Sequence, residues 1–311
     1  TDKQLNGTAR FNGMAGAFGA VGGDMSAIGI NPAGSLFFNY NTASFSLKYD
    51  NNKNEANYNG ELTKRNSNSF DINQAGAVLV FSNPENTINK IAVSLNYENN
   101  SNFKNKYNFS GTSNESAIDQ YFLDYANGTN GIGVFPIDYA ADYNFSDFGN
   151  FADQQAWLGY NSYVLDYDDN AGEYYTNVPT GVTHRQAKLV NQKGFNSKLQ
   201  FNFAAAIKNK LFLGMNLNAH ISNSEKTFTI AESNNGLYDT GRTVNEIYFD
   251  NNIYTTGGGF SLDLGAIYRV NNNFRFGFAY ASPTWYKFTD EMQQGIYTIR
   301  TEEVDPDTFL S

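Results

Sequence analysis

The sequence predicts an all-β fold, a transmembrane antiparallel β-barrel with an N-terminal plug inside its lumen. Segments that alternate apolar and polar residues recur along the chain, and the connections between them alternate between short and long. Aromatic residues make up 16% of a chain whose mean hydropathy is −0.50. So many rings in so polar a sequence are expected on a lipid-facing surface rather than in a soluble core.

The composition excludes several classes of protein. The 311 residues contain no run of about 18 apolar residues, which excludes a spanning helix and leaves a closed barrel as the spanning structure. The expected location is therefore the bacterial outer membrane, with its lipid as a partner. A net charge of −10 argues against nucleic acid as a partner, because that binding needs a basic footprint.

Residues 1–40 are predicted to form the plug. Residues 7–38 are rich in Gly and Ala and show no strand alternation, and each Gly in a helix costs about 1 kcal/mol relative to Ala. Such a segment needs support from its surroundings, and its small side chains allow close packing against a wall. Pro32 and Gly34 predict a turn just before the first alternating segment.

Residues 41–311 are predicted to form the barrel, interrupted by a large extracellular excursion over residues 101–194. In each strand the apolar positions are expected to face lipid and the alternate positions the lumen, as with Phe201 and Phe203 against Asn202. Seven strands are predicted, over residues 43–49, 70–81, 91–97, 199–207, 211–220, 260–270 and 274–280.

The connections are predicted from their polarity and length. Residues 50–68 and 224–256 are expected to be loops, and the excursion is expected to contain short helices near residues 116–125 and 153–163. Residues 295–311 are expected to be a loop that includes the start of an eighth strand. Since a bacterial single-chain barrel has an even number of strands, we expect strand seven to lack a partner on one side and about half of the barrel to lie outside this sequence.

Two stretches resemble the FadL family of outer-membrane channels for long-chain fatty acids and aromatic hydrocarbons. One is residues 9–39, where Asn31-Pro32-Ala33 leads into the first strand, and the other is GAIYRVNNNFRFGFAYASP at residues 265–283. The resemblance implies a fourteen-stranded barrel, of which seven strands would be the N-terminal half, with a hatch in its lumen. It also implies passive uptake of hydrophobic small molecules and their sideways release when the hatch moves, without a cofactor.

The resemblance also assigns roles to residues of the hatch. Asn31, Pro32 and Ala33 match the hatch signature, in which the Asn braces the barrel wall at the lateral opening, and Gly34 is expected to act with them in gating. Apolar hatch residues that would contact a ligand are Phe11, Met14, Phe18 and Leu36. The excursion departs from the resemblance because it is long and rich in Tyr.

Three inward-facing residues, His220, Arg269 and Arg275, are further candidates for ligand binding. An Arg would anchor a substrate carboxylate through bidentate hydrogen bonds. The alternative is that the lumen charges, which include Asp263, pair with each other. His220 is interpreted as a polar residue of the lumen rather than as a catalytic base.

Asp166, Asp168 and Asn170 are a candidate for calcium binding, because oxygen ligands at alternating positions suit that ion. The loop is not an EF-hand, since Ala171 stands where Gly is needed and Asn177 where Glu is needed. A solvated acidic loop is the alternative interpretation, and no other metal site is predicted.

No enzymatic function is predicted. The Gly-rich run at residues 16–22 lacks the preceding strand, the following helix and the Lys of a phosphate-binding loop. The chain also lacks the Gly-x-Ser-x-Gly elbow of a lipase. The alternative to transport is a structural barrel subunit of a larger outer-membrane assembly, with other outer-membrane proteins as partners. A continuous apolar pocket beneath the hatch would favour transport, and a filled lumen would favour assembly.

Overall fold

The computed structural model describes residues 6–114, 117–129, 133–236, 242–301 and 307–310. The helices are α1 (Ala9–Gly13), α2 (Asp119–Ala126), α3 (Ile137–Asp142) and α4 (Phe151–Asn161). The strands are β1 (Thr42–Tyr58), β2 (Glu61–Ser82), β3 (Ile88–Asn102), β4 (Asn105–Ser113), β5 (Leu165–Asp168), β6 (Glu173–Thr176), β7 (His184–Ile207), β8 (Leu211–Ser233), β9 (Val244–Arg269), β10 (Arg275–Ala281), β11 (Trp285–Arg300) and β12 (Asp307–Leu310).

Ten of these strands form one antiparallel sheet in the order β1-β2-β3-β7-β8-β9-β11-β12. β3 and β4 pair with successive parts of β7, so together they occupy one strand position with a break in it. In the same way, β10 and β11 pair with successive parts of β9 and occupy one broken strand position. The sheet is curled into a half-barrel. The predicted antiparallel β fold with seven long strand positions is therefore confirmed, and β5 and β6 form a separate small hairpin.

The two faces of the sheet have opposite polarity, as the alternation predicted. Leu213 and Phe203 are 43% and 45% exposed on one face, which we call the outer face. Their neighbours Phe212 and Asn202 are buried on the opposite, inner face. Because apolar side chains are exposed outside while polar ones are buried inside, the sheet reverses the usual arrangement of a soluble protein.

The predicted loop at residues 50–68 is wrong, because β1 and β2 continue through it to a tight turn at Asn59 and Gly60. β4 has β7 on one side only, and side chains from this hairpin satisfy its other edge. Asn54 donates to Lys106 O at 2.7 Å and Thr63 to Asn108 O at 2.5 Å. Polar side chains of this hairpin therefore form hydrogen bonds with a neighbouring strand, whereas the prediction had assigned them to a solvated loop.

Two further boundaries differ from the prediction. β8 and β9 occupy much of the predicted loop at 224–256, since their pairing continues to Ser233 and Glu246. Residues 295–300 belong to β11, which pairs with β9, and are not the start of an eighth strand. β12 pairs with residues 295–298, so strand seven has a partner there, whereas β10 and residues 285–294 have none on that side within the described part of the chain.

The excursion contains a small folded unit over residues 117–129 and 133–183, here called the insertion. The two predicted helices are present as α2 and α4, and α3 was not predicted. Phe122, Leu158 and Leu165 form its core together with Ile247 of β9 and Ile296 of β11. The insertion therefore packs on the inner face of the sheet at the end remote from the N-terminal residues.

None of the described helices has the length and apolar character needed to cross a membrane.

A buried carboxylate ties the start of the insertion to the sheet. Glu232, near the end of β8, is 4% exposed. Its Oε2 accepts hydrogen bonds from Ile118 N at 3.1 Å and from Gln186 Nε2 at 2.7 Å. Burial raises the pKa of Glu232 to about 7, although these two hydrogen bonds act in the opposite direction.

We predict that Glu232 makes the folded protein less stable as the pH rises. A carboxyl whose pKa is raised on folding contributes stability that is fully present below about pH 4.5 and lost as the pH rises through about 7, by up to about 3 kcal/mol. Glu232→Gln should therefore flatten the fall of the thermal midpoint between pH 5 and pH 8. The control is Glu225→Gln on the same strand, and equal slopes in the two variants would contradict the prediction.

Candidate functional site

Residues 6–41, here called the N-terminal segment, lie against the inner face of the sheet. The segment contains α1 and two 3₁₀ turns, Ser26–Gly29 and Pro32–Phe37, and no strand within its described residues. At one side Lys48 of β1 donates to Asn6 Oδ1 at 3.0 Å. At the other side Arg275 of β10 donates to Val21 O at 3.4 Å. The expected lack of strands is confirmed, and the segment reaches from the first strand to the last long one.

Asn31 is the main polar link between the segment and the sheet. Its fully buried Nδ2 donates to Gly19 O at 2.8 Å, to Ala266 O at 3.3 Å and to Phe278 O at 3.2 Å. Ala266 and Phe278 lie opposite each other in β9 and β10. The Oδ1 atom accepts from Ala33 N at 3.1 Å and so begins the second 3₁₀ turn. The expected hydrogen bonds of Asn31 to wall backbone are present, and its gating role stays a prediction.

The inner face of the sheet, where it lies against the N-terminal segment, is here called the wall. Beneath Asn31 and Pro32 the wall consists of very small residues. A Cβ atom on Gly265 would lie 2.1 Å from Asn31 Oδ1, and one on Gly214 would lie 2.4 Å from the carbonyl carbon of Pro32. Only Gly allows the two main chains to approach this closely. The residues paired across neighbouring strands at this height are Ala92, Ala204, Gly214, Gly265 and Ala279, and we call this set the small-residue row.

Amide side chains line the wall next to the small-residue row. Asn202 donates to Pro32 O at 3.0 Å, and Asn216 donates to Ile28 O at 2.9 Å. Asn96 donates to Met25 O at 3.3 Å. Carbonyl groups of short 3₁₀ turns have few partners within the turn, and the wall supplies the missing donors. The segment is therefore bonded to the wall mainly through its own backbone.

The predicted ligand-binding residues are not brought together. Phe11 and Phe18 stack on each other with ring centroids 5.5 Å apart and are buried. Leu36 is buried between the segment and the wall, whereas Met14 is 42% exposed. His220 is bonded to the hydroxyl of Ser261 at 2.8 Å, farther along the inner face.

Asp263, Arg269 and Arg275, which were predicted to face a lumen and to pair with each other, contact other groups. Asp263 accepts hydrogen bonds from Asn216 at 3.2 Å and Asn218 at 2.8 Å. The guanidinium groups of Arg269 and Arg275 lie 5.9 Å and 4.6 Å from the ring centroid of Phe37. Within the described ranges, the ion pairs do not include Asp263, Arg269 or Arg275. The two Arg side chains therefore stabilise the end of the N-terminal segment through cation–π contacts.

Two of the predicted calcium ligands, Asp166 and Asp168, accept hydrogen bonds from protein groups. Asp166 Oδ2 accepts from Arg242 Nη1 at 2.6 Å. Asp168 Oδ1 accepts from the backbone N–H groups of Asn170 at 2.8 Å and Ala171 at 3.3 Å, which closes the turn of the β5–β6 hairpin. Among the described residues, no group of three or more His, Cys, Asp or Glu side chains could hold a metal ion.

Two rings that were not predicted as site residues lie on the inner face beside His220. Tyr286 and Phe288 stack with centroids 5.0 Å apart, and Phe288 is 51% exposed. They cover Gly259 and Gly257 of β9, where a Cβ would lie within 3 Å of each ring. We call Tyr286 and Phe288 the aromatic shelf. It was missed because the break between β10 and β11 shifts the alternation by one residue.

Comparison with protein-family models, with curated proteins and with solved structures gave no match.

Gly265→Ala is predicted to loosen the N-terminal segment, because the new methyl group would overlap Asn31 Oδ1. Trypsin should then cut after Arg10 several-fold faster than in the unchanged protein, as seen by mass spectrometry of the released peptide. The matched control is Gly258→Ala in the same strand, whose Cβ would have only an ordinary contact at 3.8 Å. Equal cutting rates in the two variants would show that close approach at Gly265 does not hold the segment.

Proposed function

We propose that this chain forms a channel in the bacterial outer membrane for passive uptake of hydrophobic small molecules, with the N-terminal segment as its hatch. The observation that carries this proposal is the polarity of the half-barrel, whose exposed outer face is apolar and whose polar inner face holds a segment without strands. The resemblance of residues 9–39 and 265–283 to the FadL family supports the same function.

The outer face has the dimensions of a bilayer. On β8 the outward positions from Leu211 to Ile221 are apolar, and the outward positions from Asn223 onward are mostly polar. Eleven residues span about 35 Å along a strand and about 27 Å across a membrane when the strand is tilted by about 40°. This matches the height of the apolar band of outer-membrane barrels. The rest of β8 and the insertion would stand outside the bilayer.

The proposal includes a complete barrel of fourteen strands. In hydrocarbon the unpaired backbone of β1 and β10 would be costly, because no water is present to bond it. Further strands would therefore pair with both edges. The break between β10 and β11 supports lateral release, since Pro283 cannot donate a hydrogen bond and Ser282 Oγ replaces a backbone partner of Leu262 at 2.9 Å.

The aromatic shelf would be the contact surface for a ligand that has passed the insertion. It offers exposed rings inside the lumen, above the N-terminal segment. A hydrophobic molecule gains about 0.8 kcal/mol for each methylene group that leaves water. Such a gain drives binding without an energy source, and the ligand would move on only when the segment shifts.

A structural subunit of a larger outer-membrane assembly is the second candidate. It is favoured by the number of hydrogen bonds that hold the segment, which include those from Asn31, Asn202 and Asn216. A permanently filled lumen would need no movement of the segment. Uptake measurements separate the two functions.

For the proposed transport function, Asn31→Ala should reduce uptake of a long-chain fatty acid while the protein stays folded. The substitution leaves the carbonyl groups of Ala266 and Phe278 without the donor that joins them to the segment. Uptake of a radiolabelled fatty acid into cells is the measurement, with expression and heat-resistant folding checked on gels. Asn12→Ala, at an exposed position of the same segment, is the control. Normal uptake by folded Asn31→Ala protein would remove the gating role.

The proposed membrane location predicts that the effect of a charge on the outer face depends on its position. Leu217→Arg lies within the apolar band and should lower folding stability in lipid by about 2–4 kcal/mol. Thr227→Arg lies beyond the band on the same face of β8 and should cost less than about 1 kcal/mol. Urea titration of folding into vesicles measures both. Similar costs at the two positions would argue against a bilayer around Leu217.

A further inference from the structure

Two buried acceptor atoms face each other where the insertion meets the sheet. Oε1 of Glu232 lies 3.5 Å from Nδ1 of His184, and neither atom has a hydrogen-bond partner within the described residues. The two side chains belong to the neighbouring strands β8 and β7 and are 4% and 5% exposed. A buried acceptor without a donor costs free energy, so two of them in contact require a donor between them.

The hydrogen bonds around the pair leave a place for one proton. Oε2 of Glu232 already accepts from Ile118 N at 3.1 Å and from Gln186 Nε2 at 2.7 Å. His184 is bonded to the backbone of Pro179, and because Nδ1 has no partner, Nε2 is the atom that donates to this carbonyl group. Nδ1 of the neutral ring is then an acceptor. A single proton between Oε1 and Nδ1 therefore satisfies both atoms.

The surroundings of the pair favour the carboxyl as the group that carries this proton. Burial raises the pKa of Glu232 to about 7, and Asp119 at the start of α2 acts in the same direction. Burial lowers the pKa of His184, although Asp119 and the bond to Pro179 act in the opposite direction. The carboxyl therefore donates to Nδ1, and this hydrogen bond further favours its protonated form.

The other elements packed here bring no cation to the carboxyl among the described residues. β1 presents Tyr58, whose hydroxyl donates to Gln186 Oε1 at 2.6 Å. β9 presents Ile247, which is paired with Glu232. Lys188 of β7 lies on the same face, but its ammonium group is 4.4 Å from the ring centroid of Phe228, farther along β8. The proton is thus the group that compensates the buried carboxyl.

The first turn of the insertion, residues 117–121, is the part that can move when this proton is lost. β7 and β8 are paired without a break, so the two strands stay side by side. The first turn covers Glu232 through Ile118, and both residues line a cavity of about 230 Å³. A carboxylate at this place needs water, and the cavity is where water can enter.

We propose that Glu232 and His184 share one proton and that its loss to solvent releases the first turn of the insertion, so that the pair is a pH-sensitive latch. With the proton, the carboxyl donates to Nδ1 and the first turn stays closed over it. Without the proton, a buried carboxylate faces a ring acceptor and the charge of Asp119, and the first turn opens toward the cavity. The latch does not depend on the proposed uptake function.

The test follows the proton and the movement separately in the full chain in detergent micelles. Infrared spectroscopy detects the carbonyl stretch of a protonated carboxyl, and its absence in Glu232→Gln identifies the band. A nitroxide on Gln120→Cys, an exposed position in a chain without Cys, reports the mobility of the first turn. Between about pH 6 and pH 9 the band should disappear and the label should become more mobile, with one midpoint.

Two outcomes of this titration would overturn the proposal. If the band is absent at about pH 6, the pair does not hold a proton. If the band disappears while the mobility of the label stays constant, loss of the proton does not release the first turn.

Two substitutions separate a shared proton from burial alone. Glu232→Gln supplies an amide that donates to Nδ1 while its oxygen still accepts from Ile118, so the label should stay immobile throughout the titration. His184→Leu removes the acceptor, so the carboxyl should lose its proton about one pH unit lower, as expected for a lost hydrogen bond. Glu225→Gln, on the same strand and paired with Lys193, should keep the midpoint. A mobile label in folded Glu232→Gln, or an unchanged or raised midpoint in folded His184→Leu, would contradict the latch.

Discussion

The close contact between the backbone at Asn31 and Pro32 and the bare backbone of Gly214 and Gly265 is the constraint on which the inner face depends. A side chain on either Gly would occupy the space of the segment. Because the main chains touch, one amide side chain can reach carbonyl groups of both β9 and β10. This contact also brings the 3₁₀ turns within hydrogen-bonding distance of the amide side chains of the wall. Larger residues in the small-residue row would prevent it.

The polar inner face is stabilised differently from an ordinary core. Its buried amides, including Gln200 and Asn218, are bonded to each other in a chain that crosses several strands. A buried polar group without a partner costs about 1–3 kcal/mol, so the network is favourable only when nearly every member is bonded. The segment completes it by offering carbonyl oxygens. Removing the segment would therefore leave many amide donors without an acceptor at once. A partial shift that keeps some of these hydrogen bonds would cost less free energy than full release of the segment.

Much of the fold follows from local periodicity, which is why it could be predicted. The outward and inward faces of β7, β8 and β9 alternate as expected, and α2 and α4 occupy the expected places. The strand extensions at residues 50–68 could not be found in this way, because their Asn side chains bond to β4, a partner distant in sequence. The small-residue row was also missed, since it becomes visible only when the register of five neighbouring strands is known. At the site, Asn31 was assigned through the resemblance of its Asn-Pro-Ala motif to the FadL hatch. Phe11 and Phe18 were assigned as apolar residues of the same hatch, and they pack on each other.

The side-chain cover on the free edge of β4 has a consequence for how this protein assembles. An uncovered strand edge can accept a strand from any passing chain, which leads to aggregation. Asn54 and Thr63 instead occupy the acceptors of β4 from within the same polypeptide. Within the described residues, the edges that remain able to recruit a strand then include those of β1, of β10 and of residues 285–294 in β11. A strand from another chain at β4 would have to compete with this intramolecular hairpin.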